Sequence, residues 1–451
     1  MGEFFGTDGI RGVAGQFPLD ALTVERIGYS LTSELRALHG RASQLVIGRD
    51  TRESGDWIEA ALVRGIAAAE GRARSAGVIT TPGVAYLARV LKADAGVVIS
   101  ASHNPYQDNG LKVFAPTGRK LDDATEQAIE RDLKADAASF LPRRPAMKET
   151  VIETEPQLRE QYLAFLREEF GASVALHGLR LVVDCANGAS SELAPRLFTA
   201  LGADVSAINA EPNGRNINLD CGSLHPETLQ ARVKETGAAL GLAFDGDADR
   251  LLLVDEHGQV VDGDQMLFIV AEYLHAQDKL AGNRVVATVM SNLGLEVALR
   301  ARGIELVRTS VGDKYVLEEL MTNGGSLGGE QSGHLIFPEL SLAGDGMLSA
   351  LEVLRVIRAT GKSLGTLAGG FTRYPQKMIN VYVNKKPPLD TVPSIKAAMD
   401  AVKQDLGDTG RLLVRYSGTE NLVRVMVEAA HADVVHRHAV AVAAVIQTTL
   451  G

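Results

Sequence analysis

The sequence predicts a multi-domain α/β protein, with three α/β units followed by a smaller C-terminal α+β unit. Three observations lead there. At 451 residues the chain is too long for one domain of ~100–200 residues. Helical and strand-like periodicities alternate through residues 20–140, and the alternation returns twice before residue 368. Glycine is in excess, with 46 residues, about a tenth of the chain against ~7% on average. That excess falls just after apolar, strand-like runs.

In the first unit Ile27, Leu31, Leu35 and Leu38 recur at helical spacing and stop at Gly40, a residue free to take a left-handed helix end. Leu45-Val46-Ile47 reads as a buried strand, Ala60 to Ala69 as a helix, and Val97-Val98-Ile99 as a second buried strand. Strands separated by helices imply largely parallel sheets covered on both faces. Leu141 to Thr150, with two prolines and three basic residues, has no period and reads as a linker. A second pattern runs from Leu181-Val182-Val183 to Leu240 through Phe244. A third begins at Val285-Val286-Ala287 and ends in helical signals near Leu364. Gly369-Gly370 marks a joint. Beyond it Met378 to Val383, Leu412 to Val414 and Val423 to Val427 read as strands, before a helix over Val434 to Ile446. The expected units are therefore 1–150, 151–256, 257–368 and 369–451.

Hydrophobic residues at 45% and charged residues at 23% are the composition of a folded globular chain rather than a disordered one. Forty-six basic against 56 acidic residues give a net charge of −10, which excludes a broadly basic nucleic-acid binder. Cys185 and Cys221 cannot staple a chain of this size, and no Cys/His cluster has zinc spacing. The first five residues lack the basic and long apolar parts of a signal peptide, and Ala439 to Ile446 is far short of the ~20 residues of a membrane helix. A cytoplasmic protein without nucleic-acid or membrane partners is expected.

Four loops carry chemistry. The first, Ser100-Ala101-Ser102-His103-Asn104-Pro105, follows a strand, where α/β folds place ligands. There is no G-x-S-x-G elbow for a serine hydrolase. A serine can also carry a phosphoryl group, which needs cations more than a strong base. Lys112 begins the next strand-like run and is placed to return to that loop. An Asn-Pro turn with capping hydroxyls is the alternative. The second loop is Asp245-Gly246-Asp247-Ala248-Asp249-Arg250. Three alternate carboxylates repel one another unless a cation sits among them, and hard oxygen ligands suit Mg²⁺ or Ca²⁺. Arg250 occupies the position where an EF-hand needs glycine, and Leu251-Leu252-Leu253 reads as strand, so that motif is rejected. An aspartyl-phosphate enzyme with Asp245 as nucleophile, or a solvated acidic turn, stays open. In the third loop, Gly328 to His334, an extended backbone points Glu330, Ser332 and His334 to one side, an array suited to sugar hydroxyls. The fourth, Arg415-Tyr416-Ser417-Gly418-Thr419-Glu420-Asn421 with Arg424 beyond, offers a phosphate cradle or a plain hairpin turn. Together the four describe phosphoryl transfer on a sugar phosphate.

These residues, with Phe5-Gly6-Thr7-Asp8-Gly9-Ile10-Arg11-Gly12 and Gly48-Arg49-Asp50-Thr51-Arg52, make the chain resemble the α-D-phosphohexomutase superfamily over nearly its whole length. Glu330-Gln331-Ser332-Gly333-His334 and Ser100-Ala101-Ser102 resemble its glucosamine branch; the glucose/mannose branch, the alternative, more often has methionine at the position of Gln331. The resemblance implies four domains around a central cleft, each giving one loop. It implies that Ser102 is the phosphorylated residue, with its phosphate beside Asp245, Asp247 and Asp249 on one Mg²⁺ per subunit. Glucosamine 6-phosphate and 1-phosphate would interconvert through a glucosamine 1,6-bisphosphate that turns end for end. Arg415, Ser417, Gly418 and Thr419, with Arg424, would hold the phosphate that is not reacting. Glu330 and Ser332, with His334, would hold ring hydroxyls. Lys112, Arg11 and Arg250 would neutralise charge. Lys112 is the expected general base if cationic neighbours lower its pKa, with His334 the alternative. The chain would act as monomer or homodimer, and a kinase is a candidate partner for first loading Ser102. Asn421 departs from the family, which usually has proline there, and leaves the phosphate loop freer. Ser100 is a second candidate for the phosphate.

Overall fold

The structure, a computed structural model, describes residues 4–6, 8–135, 152–417 and 420–451. The linker expected at 141–150, Thr7, and Gly418 and Thr419 of the fourth loop lie outside the described residues. Four sheets are formed in chain order.

The first sheet has the order β1-β5-β4-β2-β3, from Ile10–Val13 (β1), Gln44–Arg49 (β2), Arg72–Val78 (β3), Ala95–Ile99 (β4) and Asp108–Phe114 (β5). Its helices are Ala21–His39 (α1), Gly55–Ala68 (α2), Thr81–Val90 (α3) and Asp123–Lys134 (α4). α1 starts where Asp20 accepts from the amides of Leu22 and Thr23, and ends at Gly40 with φ 66°. Ile27, Leu31 and Leu35 of its expected stripe are buried, whereas Leu38 stands exposed.

After Pro156–Phe165 (α5), the second sheet repeats the pattern in the order β10-β9-β8-β6-β7. Its strands are Arg180–Asp184 (β6), Asp204–Ile208 (β7), Leu240–Phe244 (β8), Leu251–Asp255 (β9) and Val260–Val261 (β10); Leu193–Ala200 (α6) and Glu227–Thr236 (α7) are its helices. The third sheet, β12-β11-β13-β14, has Arg284–Thr288 (β11), Glu305–Thr309 (β12), Gly328–Gly329 (β13) and Leu335–Ile336 (β14). Gly263–His275 (α8), Leu293–Arg300 (α9), Asp313–Asn323 (α10), Gly346–Thr360 (α11) and Leu364–Ala368 (α12) accompany it. The last sheet is antiparallel, β15-β17-β16, from Gln376–Tyr382 (β15), Gly410–Tyr416 (β16) and Leu422–Ala429 (β17). Pro393–Leu406 (α13) and Ala432–Leu450 (α14) join it in one core with Val381, Val425, Ile395 and Val442.

The sheets are mixed rather than largely parallel. β2 is parallel to both β3 and β4, and β6 to both β7 and β8. However, β4 to β5, β8 to β9 and β13 to β14 are antiparallel neighbours. No helix crosses back at those three places, because a loop of a few residues suffices to reverse the chain. Those reversals are the serine, aspartate and glutamate loops. An apolar core runs on from Val46 and Val84 through Leu158 and Phe244 to Leu351 and Phe371, so the first three units share packing.

Candidate active site

Ser102 lies just beyond the end of β4. It has a left-handed backbone, φ 53°, which is uncommon for a residue with a side chain. Its hydroxyl donates to Asp245 Oδ2 at 2.5 Å, and His103 Nδ1 stands 3.3 Å away. Ser100, the other hydroxyl, is fully buried; it donates to Asp50 and accepts from the Ser102 amide, which leaves it no free face.

The aspartate loop closes against this serine. Asp245, Asp247 and Asp249 are buried, and one ligand oxygen of each lies within 4.8 Å of the others. Asp247 Oδ2 accepts from Thr81 Oγ1 at 2.5 Å and from Lys112 Nζ at 2.8 Å. Among the described residues, Asp247 Oδ1 and Asp249 Oδ1 are buried without a hydrogen-bond partner, although Arg250 Nε and His334 Nδ1 each stand 3.8 Å from Asp249 Oδ1. Buried bare carboxylate oxygens are costly unless a cation meets them, and three hard oxygens at this spacing fit a divalent cation. Gly246 lets the loops touch: a Cβ there would meet the Ser102 carbonyl oxygen at 2.5 Å.

Lys112 sits in mid-strand of β5 rather than at its start, opposite Val98. It is buried, with Asp247 Oδ2, Asp8 Oδ2 and Asp249 Oδ2 at 2.8, 3.0 and 3.2 Å. Burial alone would lower its pKa, but Asp247, Asp249 and Asp8 carry it well above the usual lysine value. The expected cationic neighbourhood is therefore reversed: carboxylates surround Lys112 and keep its proton on. For Asp8 burial works upward, yet Lys112, Lys120 and Arg11 hold the carboxyl well below its ordinary range. Burial, then Asp249 and Asp247, push Asp245 well up. His103 falls to about 4 through burial and the charges of Arg250 and Arg11.

The glutamate loop is a tight turn rather than an extended array. The Gly333 amide donates to the Glu330 carbonyl; Gly333 has φ 90°, and a Cβ there would meet Leu251 O at 1.8 Å, so both the backbone and the space call for glycine. Consequently His334 turns away from Ser332. Its Nδ1 lies 3.8 Å from Asp249 and its Nε2 3.7 Å from Asp313. Burial opposes its protonation, but Asp249, Asp313 and Glu330 raise it to about 9. Glu330 accepts from the Gly312 amide and lies 3.4 Å from the Ser332 hydroxyl. A cavity of about 400 Å³ is lined by Asp8, Arg11, Asp249, Arg250, Glu330 and His334. A neighbouring one of about 700 Å³ is lined by Arg250, Met290, Glu330, Gln331, Ser332 and Arg373.

Arg415 and Arg424 face each other directly across β16 and β17. Burial, then Arg424, lower the pKa of Arg415. Ser417 Oγ accepts from the Glu420 amide at 3.3 Å. Arg415 approaches Met290, whose Sδ lies 4.0 Å from the arginine Nη2. The structure thus gathers Ser102, Lys112, the three aspartates, Arg11, Arg250, Glu330 and His334, while Arg415, Ser417 and Arg424 stand apart from them on the C-terminal sheet and the loop after it.

Family models match almost the whole chain. They are described as phosphoglucomutase/phosphomannomutase alpha/beta/alpha domains I, II and III over residues 2–139, 160–258 and 262–374, with the C-terminal domain over 378–445. The chain belongs to the phosphoglucomutase/phosphomannomutase family. Relatives in that family include proteins named phosphoglucosamine mutase from Solibacter usitatus and Syntrophus aciditrophicus. They are 51% identical over 100% of this chain and 99% of the relative, and 46% identical over 100% of both. Among solved structures, a phosphoglucomutase/phosphomannomutase family protein from Burkholderia thailandensis is 27% identical, with TM-score 0.80, covering 99% of this chain and 97% of that one. An Aspergillus fumigatus N-acetylphosphoglucosamine mutase, solved with GlcNAc-6P and magnesium, shares the fold at 20% identity and TM-score 0.71, covering 99% and 96%.

Several residues of this phosphohexomutase site were given no role in the sequence. Thr81 holds Asp247 from the start of α3. Lys120 bridges Asp8 and Asp313, each at 2.8 Å. Asn218 donates to the carbonyls of Ser102 and Asn104. Thr80-Thr81-Pro82-Gly83 was readable as a helix start; Lys120, Asp313 and Asn218 had no local signal.

Proposed function

We propose that the chain interconverts glucosamine 6-phosphate and glucosamine 1-phosphate, as an intramolecular phosphotransferase of the isomerase class serving UDP-N-acetylglucosamine and cell-wall precursor synthesis. The observation that carries the reading is the Ser102 hydroxyl bonded to Asp245 inside the buried aspartate triad. Whole-length relatives named phosphoglucosamine mutase favour the amino sugar over glucose or mannose.

Ser102 serves as the phosphoryl carrier. Its phosphate passes to O1 of the 6-phosphosugar: the serine P–O and sugar O1–H bonds break, the sugar P–O bond forms, and the proton released from O1 is made good at Ser102 Oγ. The resulting glucosamine 1,6-bisphosphate turns over, and its 6-phosphate returns to Ser102. Asp245, Asp247 and Asp249, with the phosphorylated Ser102, would hold Mg²⁺, which supplies charge neutralisation when bound. Lys112, protonated among its three carboxylates, keeps a cation on the aspartate loop. His334, also proton-bearing, faces the cavity with Arg11 and Arg250. Glu330 and Ser332 hold ring hydroxyls, which stay between the two phosphates in either pose. Arg415, Ser417 and Arg424, with Gly418 and Thr419, hold the phosphate that is not reacting. No helix of the described residues is long and apolar enough to cross a membrane, and Cys185 and Cys221 are free and buried; a reducing cytoplasm is the compartment that suits this metabolic role.

A competition in one tube tests the reading. Equal glucosamine 6-phosphate and glucose 6-phosphate are given with Mg²⁺ and a trace of sugar 1,6-bisphosphate, and ³¹P NMR follows the 1-phosphates. Glucosamine 1-phosphate is expected first; a lead for glucose 1-phosphate overturns the named substrate.

A further inference from the structure

Ser102 is held from beneath by a side chain that touches no substrate. Arg52 follows β2, and its side chain is fully buried. All five of its guanidinium N–H groups are used. Nε donates to Asp50 Oδ2 at 2.8 Å. Nη1 donates to the Pro105 carbonyl and, at 2.9 Å, to that of Asp108; Nη2 donates to those of Ser102 and Asn104 at 2.9 and 2.8 Å. One rigid fork therefore spans both ends of the serine loop. The Ser102 amide is held as well: it donates to Ser100 Oγ at 2.9 Å, and Ser100 donates to Asp50 Oδ2 at 2.6 Å. Asn218, from the second unit, adds a further bond to the Ser102 carbonyl at 2.9 Å.

Both peptide groups of Ser102 are thus fixed from the end of β2, while its backbone sits in the left-handed region that a side-chain residue rarely keeps. That backbone aims the hydroxyl at Asp245. We infer that Arg52, acting with Asp50 and Ser100, is a positioning residue for phosphoryl transfer, setting the angle at which Ser102 presents its phosphate. The inference rests on the reading of Ser102 as the carrier. Arg52 is ion-paired to Asp50 and buried, so the pair is electrically neutral and acts through geometry, not through its field. A lysine would keep the charge and lose the fork, since three donors cannot meet four carbonyls and a carboxylate at once.

The test uses the full chain with Mg²⁺, glucosamine 6-phosphate and a trace of sugar 1,6-bisphosphate. Four proteins are compared: the parent, Ser102→Ala, Arg52→Lys and Ser100→Ala, each checked for folding by circular dichroism. Positioning predicts kcat lowered at least tenfold in Ser100→Ala and about 100-fold in Arg52→Lys. KM stays within threefold, because the sugar and phosphate contacts lie elsewhere. A folded Arg52→Lys with kcat within threefold of the parent, or a loss carried by KM, overturns the inference. If Arg52→Lys does not fold, Ser100→Ala decides alone: a kcat loss below tenfold overturns it. Turnover by Ser102→Ala sinks the carrier reading and the inference with it; a dead Ser102→Ala beside a normal Arg52→Lys sinks the inference only.

Discussion

Gly246→Ala separates the serine and aspartate loops without changing any charge. An added Cβ would lie 2.5 Å from the Ser102 carbonyl oxygen, and 2.9 Å from both Asn218 Nδ2 and Ile217 Cδ1. Gly246 does not have the positive φ that would strain an alanine, so the effect is steric. Relieving the contact to the 3.4 Å at which ordinary packing begins needs a shift of 3.4 minus 2.5, about 0.9 Å. The obstacle on the serine side is backbone that Arg52 and Asn218 hold, so the shift falls between the loops. The 2.5 Å bond from Ser102 to Asp245 must lengthen with it. A misplacement of about 1 Å between reacting groups costs roughly 100-fold in rate. Steady-state kinetics in the glucosamine 6-phosphate direction should show kcat lowered by about that factor, with KM little changed. A variant that melts like the parent and turns over within threefold would refute the claim that this close approach sets the geometry of transfer.

Lys112→Met removes the cation shared by Asp8, Asp247 and Asp249. Stranding buried partners costs about 3–5 kcal/mol, so thermal unfolding should fall and turnover be lost; an unchanged melting temperature counts against the assigned pairing. Arg415→Gln should lower kcat/KM by roughly 10–100-fold through KM, as loss of a charge-assisted phosphate contact does; a loss confined to kcat contradicts the phosphate role. Asp345 caps α11 and accepts from Tyr162, and burial raises its carboxyl from 3.8 to about 6. The folded state then holds a proton that the unfolded state releases, so stability is present below pH 3.8 and is lost as pH rises to about 6. Asp345→Asn keeps the cap and removes this loss, so urea unfolding should favour the variant by about 1 kcal/mol more at pH 7.5 than at pH 5. A difference equal at both values rejects the assignment.

The strands were legible because Val97-Val98-Ile99, Leu181-Val182-Val183 and Val285-Val286-Ala287 are apolar runs cut off by polar glycine loops, and both features are local. Their pairing was not. The serine loop and the strand-like run after it were readable, but the expected sheets were largely parallel, and only the register of β4 against β5 shows the reversal. The aspartate cluster was legible for the same local reason, since its three acids are close in sequence. Charge state was not, because it is set by residues distant in the chain. Asp8 lies 104 positions from Lys112, so 112 minus 8, and the aspartates lie farther still; their presence reverses the sign expected for the lysine. His334 followed the same course: a turn closed by Gly333 sends it to Asp249 rather than into line with Ser332.

On the proposed reading, the charges of the site call for two different devices for two phosphates. Asp8, Asp245, Asp247, Asp249, Asp313 and Glu330 stand against Arg11, Lys112, Lys120, Arg250 and protonated His334. With every group ionised, six anions would exceed five cations by one, an excess that the raised carboxyl of Asp245 relieves by keeping its proton. A phosphate on Ser102 adds about 1.5 to 2 negative charges, in a buried place where repulsion is poorly screened. On the proposed reading that excess is what a dication on the bare oxygens of Asp247 and Asp249 would offset. Such a dication would be committed to the phosphate at Ser102, so the phosphate at the far end of the sugar would need its own cations. Arg415 and Arg424, set opposite each other on β16 and β17 where like charges repel, would provide them. An anion between them turns that repulsion into attraction, and the same pair can receive either phosphate, since it reads charge and not the position on the ring.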